Sequence, residues 1–400
     1  MNDKTRKFIE QNLHDDIRQL ALKGCRDKEV DMPLALSQIA GRQTARRKLP
    51  SWAALDGLLY PPHLNMEQCS SEQTARYKAT IAKRLLSSYA PPTSLVDLTG
   101  GFGVDFAFMR EAFDEATYVE RDAQLFAISS ENFKILVKNV KTVNGDGIDF
   151  LHALSHATMI FMDPARRDNH GGRTYGIGDC TPNVLEIKDE LLQKADVVML
   201  KLSPMLDWRK AVSDLGEQYV SEVHIVSVQN ECKELLIVMQ QQPAEPFPVY
   251  CVNDDAVFIY HPSSASPNDI AHLSSFTFLY EPHASIMKAG CFDAVCSAFS
   301  LRQLAHNSHL FVSDQFVADF PGRSFRVLSI SSMNKQELKK LSQTVSQANI
   351  TVRNFPMTVA ELRKKLKMGD GGETYIFATT LADGQRVLII CKKLNSVNSH

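Results

Sequence analysis

The sequence predicts an α/β protein: a doubly wound, Rossmann-like sheet of seven strands, with a helical N-terminal region before it and two small α+β domains after it. Three observations carry this expectation. Short β-rich runs alternate with helical stretches from residue 93 to about residue 240. The first run ends in a glycine-rich turn that leads into a helix, Val96-Asp97-Leu98-Thr99-Gly100-Gly101-Phe102-Gly103. The last two runs are too close together for a helical crossover and must pair as a hairpin.

Residues 1–90 read as helices. Asn12–Leu22 and Ser71–Leu86 carry apolar residues at helical spacing, the second after a capping-type start, Ser70-Ser71-Glu72. Pro91-Pro92 breaks that pattern. The candidate strands are Leu95–Leu98, Ala116–Glu120, Thr142–Asn144, Met159–Met162, Val197–Lys201, Val223–Val228 and Glu234–Met239. The first five are of parallel type. Only Gln229–Lys233 separates the last two, so an antiparallel strand should sit on an otherwise parallel sheet. Gln240–Pro248 reads as a linker. Residues 323–395 should contain a strand at Phe325–Ile330, helices at Asn334–Gln347 and Val359–Leu366, and a hairpin of Tyr375–Thr380 with Arg386–Cys391. The expected domains are 1–90, 91–244, 245–320 and 323–395.

The chain has 400 residues, of which 44% are hydrophobic and 22% charged, which excludes a disordered or collagen-like protein. Apolar runs such as Leu235–Met239 and Val387–Cys391 are too short to span a bilayer, and the opening residues lack the apolar stretch of a secretory leader. Eight scattered cysteines without a CxxC pair point to neither a zinc ribbon nor a disulfide scaffold. No metal site and no membrane partner are expected, and a reducing, cytoplasmic compartment fits. The net charge of −2 hides an asymmetry. From Arg323 to His400 lie 13 of the 44 basic residues but five of the 46 acidic ones, a net +8 against −10 for the remainder. A basic module on an acidic body suits a polyanion partner, with Lys364 and Lys365 as candidate phosphate contacts; a solvated helix face reads the charge equally well.

The chemistry-bearing residues fall at the carboxyl ends of the predicted strands, where doubly wound sheets bind ligands. The glycine turn brings backbone N–H groups close to a ligand, with Asp97, Thr99, Gly101 and Gly103 beside it. Position 106 is Phe rather than the third glycine of a dinucleotide fingerprint, which counts against NAD or FAD. Glu120 ends the second strand, 23 residues after Asp97, where it can accept bonds from two ribose hydroxyls. Asp146 ends the third and suits an adenine amino group, or serves only as a turn residue between two glycines. The fourth ends Asp163-Pro164-Ala165-Arg166-Arg167 and the fifth Lys201-Leu202-Ser203-Pro204. Asp97 also suits a purely structural bond to the turn, and the two arginines a solvated surface.

This series resembles the class I S-adenosylmethionine-dependent methyltransferases. DLTGGFG is similar to their first glycine motif, Glu120 to the ribose acid, Asp146 to the adenine residue and Asp163-Pro164 to the start of their fourth motif. An antiparallel seventh strand is also a feature of that fold. A finer resemblance covers nearly the whole chain: Gln73-Thr74-Ala75-Arg76-Tyr77-Lys78, DLTGGFGVD, MDPARR, Tyr280-Glu281-Pro282-His283, Ile286–Gly290, Phe320-Pro321-Gly322-Arg323, Phe355-Pro356-Met357-Thr358 and Gly371-Gly372. It is similar to a bacterial methyltransferase family with a ferredoxin-like domain and a C-terminal THUMP-like domain. The resemblance implies S-adenosylmethionine as cofactor and RNA, a tRNA or rRNA, as partner. It implies Asp163 and Pro164 as catalytic residues and Arg166, Arg167, Lys201 and Ser203 on the substrate side. A methyltransferase acting on protein or a small molecule is the alternative, as is a non-catalytic RNA-binding protein with a degenerate fold. Arg166 stands where amino-group methyltransferases usually carry a stacking aromatic residue, Ala165 replaces a second proline, and no cysteine follows the fifth strand. The acceptor atom is open.

Overall fold

The computed structural model describes residues 1–166, 176–244, 246–262 and 276–394. The chain divides into two compact units, Met1–Glu222 with Glu234–Glu245, and Val223–Lys233 with Pro246–His400.

The first unit opens with helices Asp3–Gln11, Ile17–Lys23, Met32–Lys48, Pro50–Ala53, His63–Gln68 and Glu72–Leu86. Their starts follow local capping chemistry: Asn2, Asp16, Asp31 and Ser71 each accept a backbone N–H of the first turn. Asp16 corrects one expectation. It caps at Gln19 (2.9 Å), so the helix expected from Asn12 begins at Ile17, and residues 12–15 form a turn. Ile9, Leu20, Ala35 and Ile39 close a small core over these helices. Asn132 anchors the region to the sheet domain, exchanging two bonds of 2.8 Å with the Leu59 backbone.

The strands are β1 (Ser94–Asp97), β2 (Glu115–Glu120), β3 (Val140–Asn144), β4 (Ala157–Met162), β5 (Ala195–Leu202), β6 (Val220–Val228) and β7 (Glu231–Met239). They lie in the order β3-β2-β1-β4-β5-β7-β6. β1 runs parallel to β2 and β4, β4 to β5, and β7 is antiparallel to β5. All six residues of β4 are buried, as a central parallel strand covered on both faces requires. The connection between β6 and β7 is shorter than expected. Only Gln229 and Asn230 form the turn, both with positive φ (51° and 61°), the pattern of a tight hairpin turn that continues the strand twist.

In the second unit, Val249–Asn253 pairs in parallel with Val223–Ser227 and antiparallel with Ala256–Tyr260. A separate seven-stranded sheet has the order Arg302–Gln303, Phe311–Ser313, Phe278–Pro282, Gly322–Ser332, Arg386–Lys393, Gly369–Thr380, Gln347–Arg353. The two C-terminal domains anticipated from sequence therefore share one sheet. Phe278–Pro282 pairs antiparallel with Gly322–Arg326 across the anticipated boundary. One core serves both sides: Leu279, Leu310 and Val312 pack with Phe325, Phe377 and Ile389. Helices Lys335–Thr344 and Val359–Leu366 bury Leu338, Leu341, Leu362 and Leu366 over a second core that includes Ile376 and Leu388. Among the described residues, no helix is long and apolar enough to cross a membrane.

Candidate active site

A cavity of about 510 Å³ opens at the carboxyl edge of β1–β5. That volume lies in the range of about 300–1,000 Å³ usual for small-ligand sites. The glycine turn forms one wall. Gly101 and Gly103 hold φ of +57° and +76°, which side chains rarely tolerate. The crowding has a source that sequence alone did not suggest. A Cβ on Gly100 would lie 2.1 Å from the Tyr118 ring, and one on Gly103 2.5 Å from the Phe133 ring. Two glycines thus make room for aromatic packing beneath the turn. A Cβ on Gly101 would meet nothing closer than the Thr99 carbonyl oxygen at 3.8 Å, so this backbone stays bare.

Glu120 tethers the turn. Its carboxylate accepts the Gly101 N–H and the Asp122 N–H, both at 2.7 Å. The Tyr118 hydroxyl and the Ser129 hydroxyl donate to the Gly101 carbonyl from below. Asp97 is buried and accepts the Thr99 N–H at 2.9 Å. Burial pushes its carboxyl well above the usual range; the Thr99 bond opposes this, while the charges of Asp105, Asp163 and Glu120 add to it. Thr99 ties β1 to β4, its hydroxyl accepting the Asp163 N–H at 2.6 Å. Asp146 lines the cavity and caps the helix Gly147–Ala153, accepting the Ile148 N–H at 2.8 Å. Beside it, Gly147 lies so close to β1 that a Cβ would sit 2.0 Å from the Leu98 carbonyl oxygen.

Next along the edge lies a cluster of charges. The Lys201 ammonium, at the end of β5, is 2.6 Å from the Asp163 carboxylate and 3.3 Å from Asp105. Asp105 sits in the first turn of the helix Val104–Arg110 and also faces Lys78 at 3.1 Å. Lys78 has no exposed surface and lies 2.5 Å from Glu234 on β7. Ser70 donates to Asp105 at 2.7 Å. Burial opposes the charge on Lys201, but Asp163, Asp105 and Glu234 outweigh it and hold the ammonium well above its usual range. Burial likewise opposes ionisation of Asp105, and Lys78 and Lys201 outweigh it, so its carboxyl falls below the usual range. For Glu234 burial prevails and its carboxyl is raised. An ammonium–carboxylate pair, Lys201–Asp163, therefore faces the cavity, with Asp105 beside it in the lining and the buried Lys78–Glu234 pair behind.

Of the residues expected from sequence, Asp97, Thr99, Gly101, Gly103, Glu120, Asp146, Asp163 and Lys201 line this one cavity. Pro164 is buried and outside the lining. Ser203 is not in the lining either: its hydroxyl accepts the Met205 N–H at 3.2 Å and shapes the turn after β5. Arg166 pairs through its backbone with Cys180 in a two-residue ladder, and Arg167 lies outside the described residues. Sequence reasoning missed Asp105 and Glu234, left Lys78 inside a helix face, and missed the wall formed by Asn65, Gln68, Cys69 and Ser70. A signal existed for Glu234: an acid opening the apolar run Leu235–Met239 of an inner strand needs a buried partner. Among the described residues, no group of three or more His, Cys, Asp or Glu is placed to hold a metal ion.

In the second unit, ten of the 13 basic residues from Arg323 onward are exposed, Lys364 and Lys365 among them. The other three have structural partners. Arg323 and Arg353 both bind the buried Glu281, the latter at 2.9 Å, and Arg363 binds Asp370 at 2.6 Å.

A family described as THUMP domain-like matches residues 322–393, and one described as a ferredoxin-like domain matches residues 278–321. A crystal structure from Porphyromonas gingivalis W83, assigned as a methyltransferase, aligns over 99% of this chain and 100% of its own. The two are 32% identical, with a TM-score of 0.85. Uncharacterized S-adenosylmethionine-dependent methyltransferases from two strains of Mycobacterium tuberculosis, CDC 1551 / Oshkosh and ATCC 25618 / H37Rv, are 20% identical to it over 330 residues. That span is 80% of this chain and 84% of theirs.

Proposed function

This chain belongs to the family of S-adenosylmethionine-dependent methyltransferases that includes the Porphyromonas gingivalis W83 protein, with a ferredoxin-like and a THUMP-like domain, and we propose that its substrate is RNA, a tRNA or an rRNA. The carrying observation is the THUMP domain-like match over 322–393, a stretch with ten exposed basic side chains. THUMP domains are RNA-binding modules, and exposed Lys and Arg give phosphate contacts by counter-ion release. None of the eight cysteines is joined in a disulfide, which suits a reducing, cytoplasmic compartment.

The site fits the cofactor: a bare glycine backbone at Gly101, an acid beside it, and room for a small ligand. Glu120 has two carboxylate lone-pair positions left after its two backbone bonds, enough for two ribose hydroxyls. Asp146 and the helix it caps would take the adenine end, and Gly101 and Gly103 the part that passes over the turn. S-adenosylmethionine brings a methyl group already activated on a sulfonium. The chain supplies position: Asp163, held by Thr99 through its backbone and by Lys201 through its side chain, orients the acceptor. Purified protein, labelled cofactor and RNA from a strain lacking the gene test the proposal. Incorporation into that RNA, and little into RNA from the parent strain, is expected. Label that enters protein or small molecules instead would refute it.

A further inference from the structure

We propose that the methylated atom is a hydroxyl oxygen, the 2′-hydroxyl of a ribose, met by Lys201 and Asp163, with Lys78, Asp105 and Glu234 as positioning residues for Lys201. The ribose assignment rests on the RNA substrate proposed above; the hydroxyl assignment rests on the cluster.

Three kinds of acceptor are available on RNA: carbon, nitrogen and hydroxyl oxygen. Carbon methylation through a thiolate needs a reactive cysteine. Cys69 lines the cavity, but burial pushes its thiol up to about 11. Base nitrogen methylation needs a stacking face. The aromatic rings in the described lining are Phe102 and Phe161, both buried, and Phe102 is packed edge-on against Trp52.

The electrostatics separate nitrogen from oxygen further. A neutral amine that accepts a methyl gains positive charge, and a fixed ammonium beside it opposes that. An amine also has one lone pair, which a Lys201 N–H would occupy. A hydroxyl has two lone pairs and one proton. One lone pair can accept from Lys201 while the other attacks, and the proton points at Asp163, 2.6 Å from the same ammonium. The oxygen–carbon bond forms, the carbon–sulfur bond breaks with its electron pair on sulfur, and the hydroxyl proton passes to Asp163 and then to solvent. The ammonium must stay charged and fixed for this. Asp105 at 3.3 Å holds it, and Lys78, fully buried between Asp105 and Glu234, holds Asp105.

The test uses the full chain. RNA labelled by the wild-type protein is hydrolysed in alkali, which cannot cleave next to a 2′-O-methyl group. Label is expected in alkali-stable dinucleotides. Label in mononucleotides overturns the hydroxyl assignment and leaves RNA as substrate; no label in RNA overturns the RNA reading and the ribose assignment with it. Lys201→Gln should lower kcat about 10²–10³-fold with cofactor affinity in the wild-type range; wild-type turnover would overturn its role. Asp105→Asn tests positioning through the pH profile. With one acid gone, Lys201 loses its proton more readily, so the alkaline fall in kcat should move to lower pH. A fall in kcat without that movement overturns the positioning role.

Discussion

Glu120 allows a quantitative test of the cofactor site. Its carboxylate offers about four acceptor positions, and two are taken by the N–H groups of Gly101 and Asp122. The remaining two should hold the cofactor's ribose hydroxyls. A hydrogen bond to a charged group is worth about 1.5–3 kcal/mol, so losing such bonds weakens binding roughly tenfold to over a hundredfold. Glu120→Ala removes every one of these acceptors and also frees the Gly101 N–H. Glu120→Gln keeps one oxygen for Gly101 and loses the charge. Calorimetry with S-adenosylmethionine and with its demethylated product should therefore rank affinities as wild type, then Gln nearer tenfold weaker, then Ala weakest. Urea unfolding without ligand checks that the turn survives in both. Equal affinity in all three proteins would remove Glu120 from the site; wild-type affinity for Gln with a loss for Ala alone would place its role in the Gly101 tether.

Three further outcomes are expected. Asp97 has its carboxyl raised by burial, so the folded state keeps a proton that the unfolded chain, ionising near pH 4, gives up; stability should fall as pH rises from about 4 toward the raised folded value. Asp97→Asn, which still offers Thr99 an acceptor, should flatten that dependence in denaturation curves; an unchanged slope would refute a protonated Asp97. Gly103→Ala, with φ of +76° and the Phe133 ring 2.5 Å from the new Cβ, should lose about 2–4 kcal/mol by denaturation, against about 1 kcal/mol for Gly101→Ala; the reverse order would refute the packing argument. Replacing both Lys364 and Lys365 by Glu should weaken RNA binding and make its salt dependence shallower by roughly 0.7–0.9 log units for each phosphate left un-neutralised, and an unchanged slope would exclude that helix from the RNA-binding face.

The sheet was legible because its signals are local. A strand that ends in Gly100-Gly101-Phe102-Gly103 and a hairpin with no room for a crossover each constrain the topology within a few residues. The N-terminal region was less legible for a related reason. Met32–Lys48 buries small or polar positions such as Ala35, Gln38 and Gly41, so no apolar stripe marks its inner face. Gly41 is needed because Tyr60, nineteen residues on, lies where its Cβ would be, 2.3 Å away. The shared C-terminal sheet was hidden because its joining ladder, Phe278–Pro282 with Gly322–Arg326, reads as two unrelated strands until they are paired.

The site divides along the same line. Residues proposed to meet the cofactor and acceptor sit at strand ends in a fixed order, and that order can be read. Residues that hold them do not. Lys78 and Glu234 are 156 positions apart, and each looks ordinary in its own segment: a lysine in a mixed helix, an acid at the start of a strand. Their meaning comes from burial. A lysine with no exposed surface needs compensating carboxylates, and removing one partner of such a group costs about 3–5 kcal/mol. The helix Glu72–Leu86 supplies Lys78 to this cluster, while Asn65, Gln68 and Cys69 just before it line the cavity. The region that looked like a preface to the sheet domain therefore walls the candidate site and braces its charges. Lys78→Met should test this directly: with Glu234 left without its ammonium partner and Asp105 held only by Lys201 and Ser70, thermal stability should fall together with kcat, whereas a merely decorative helix would leave both unchanged.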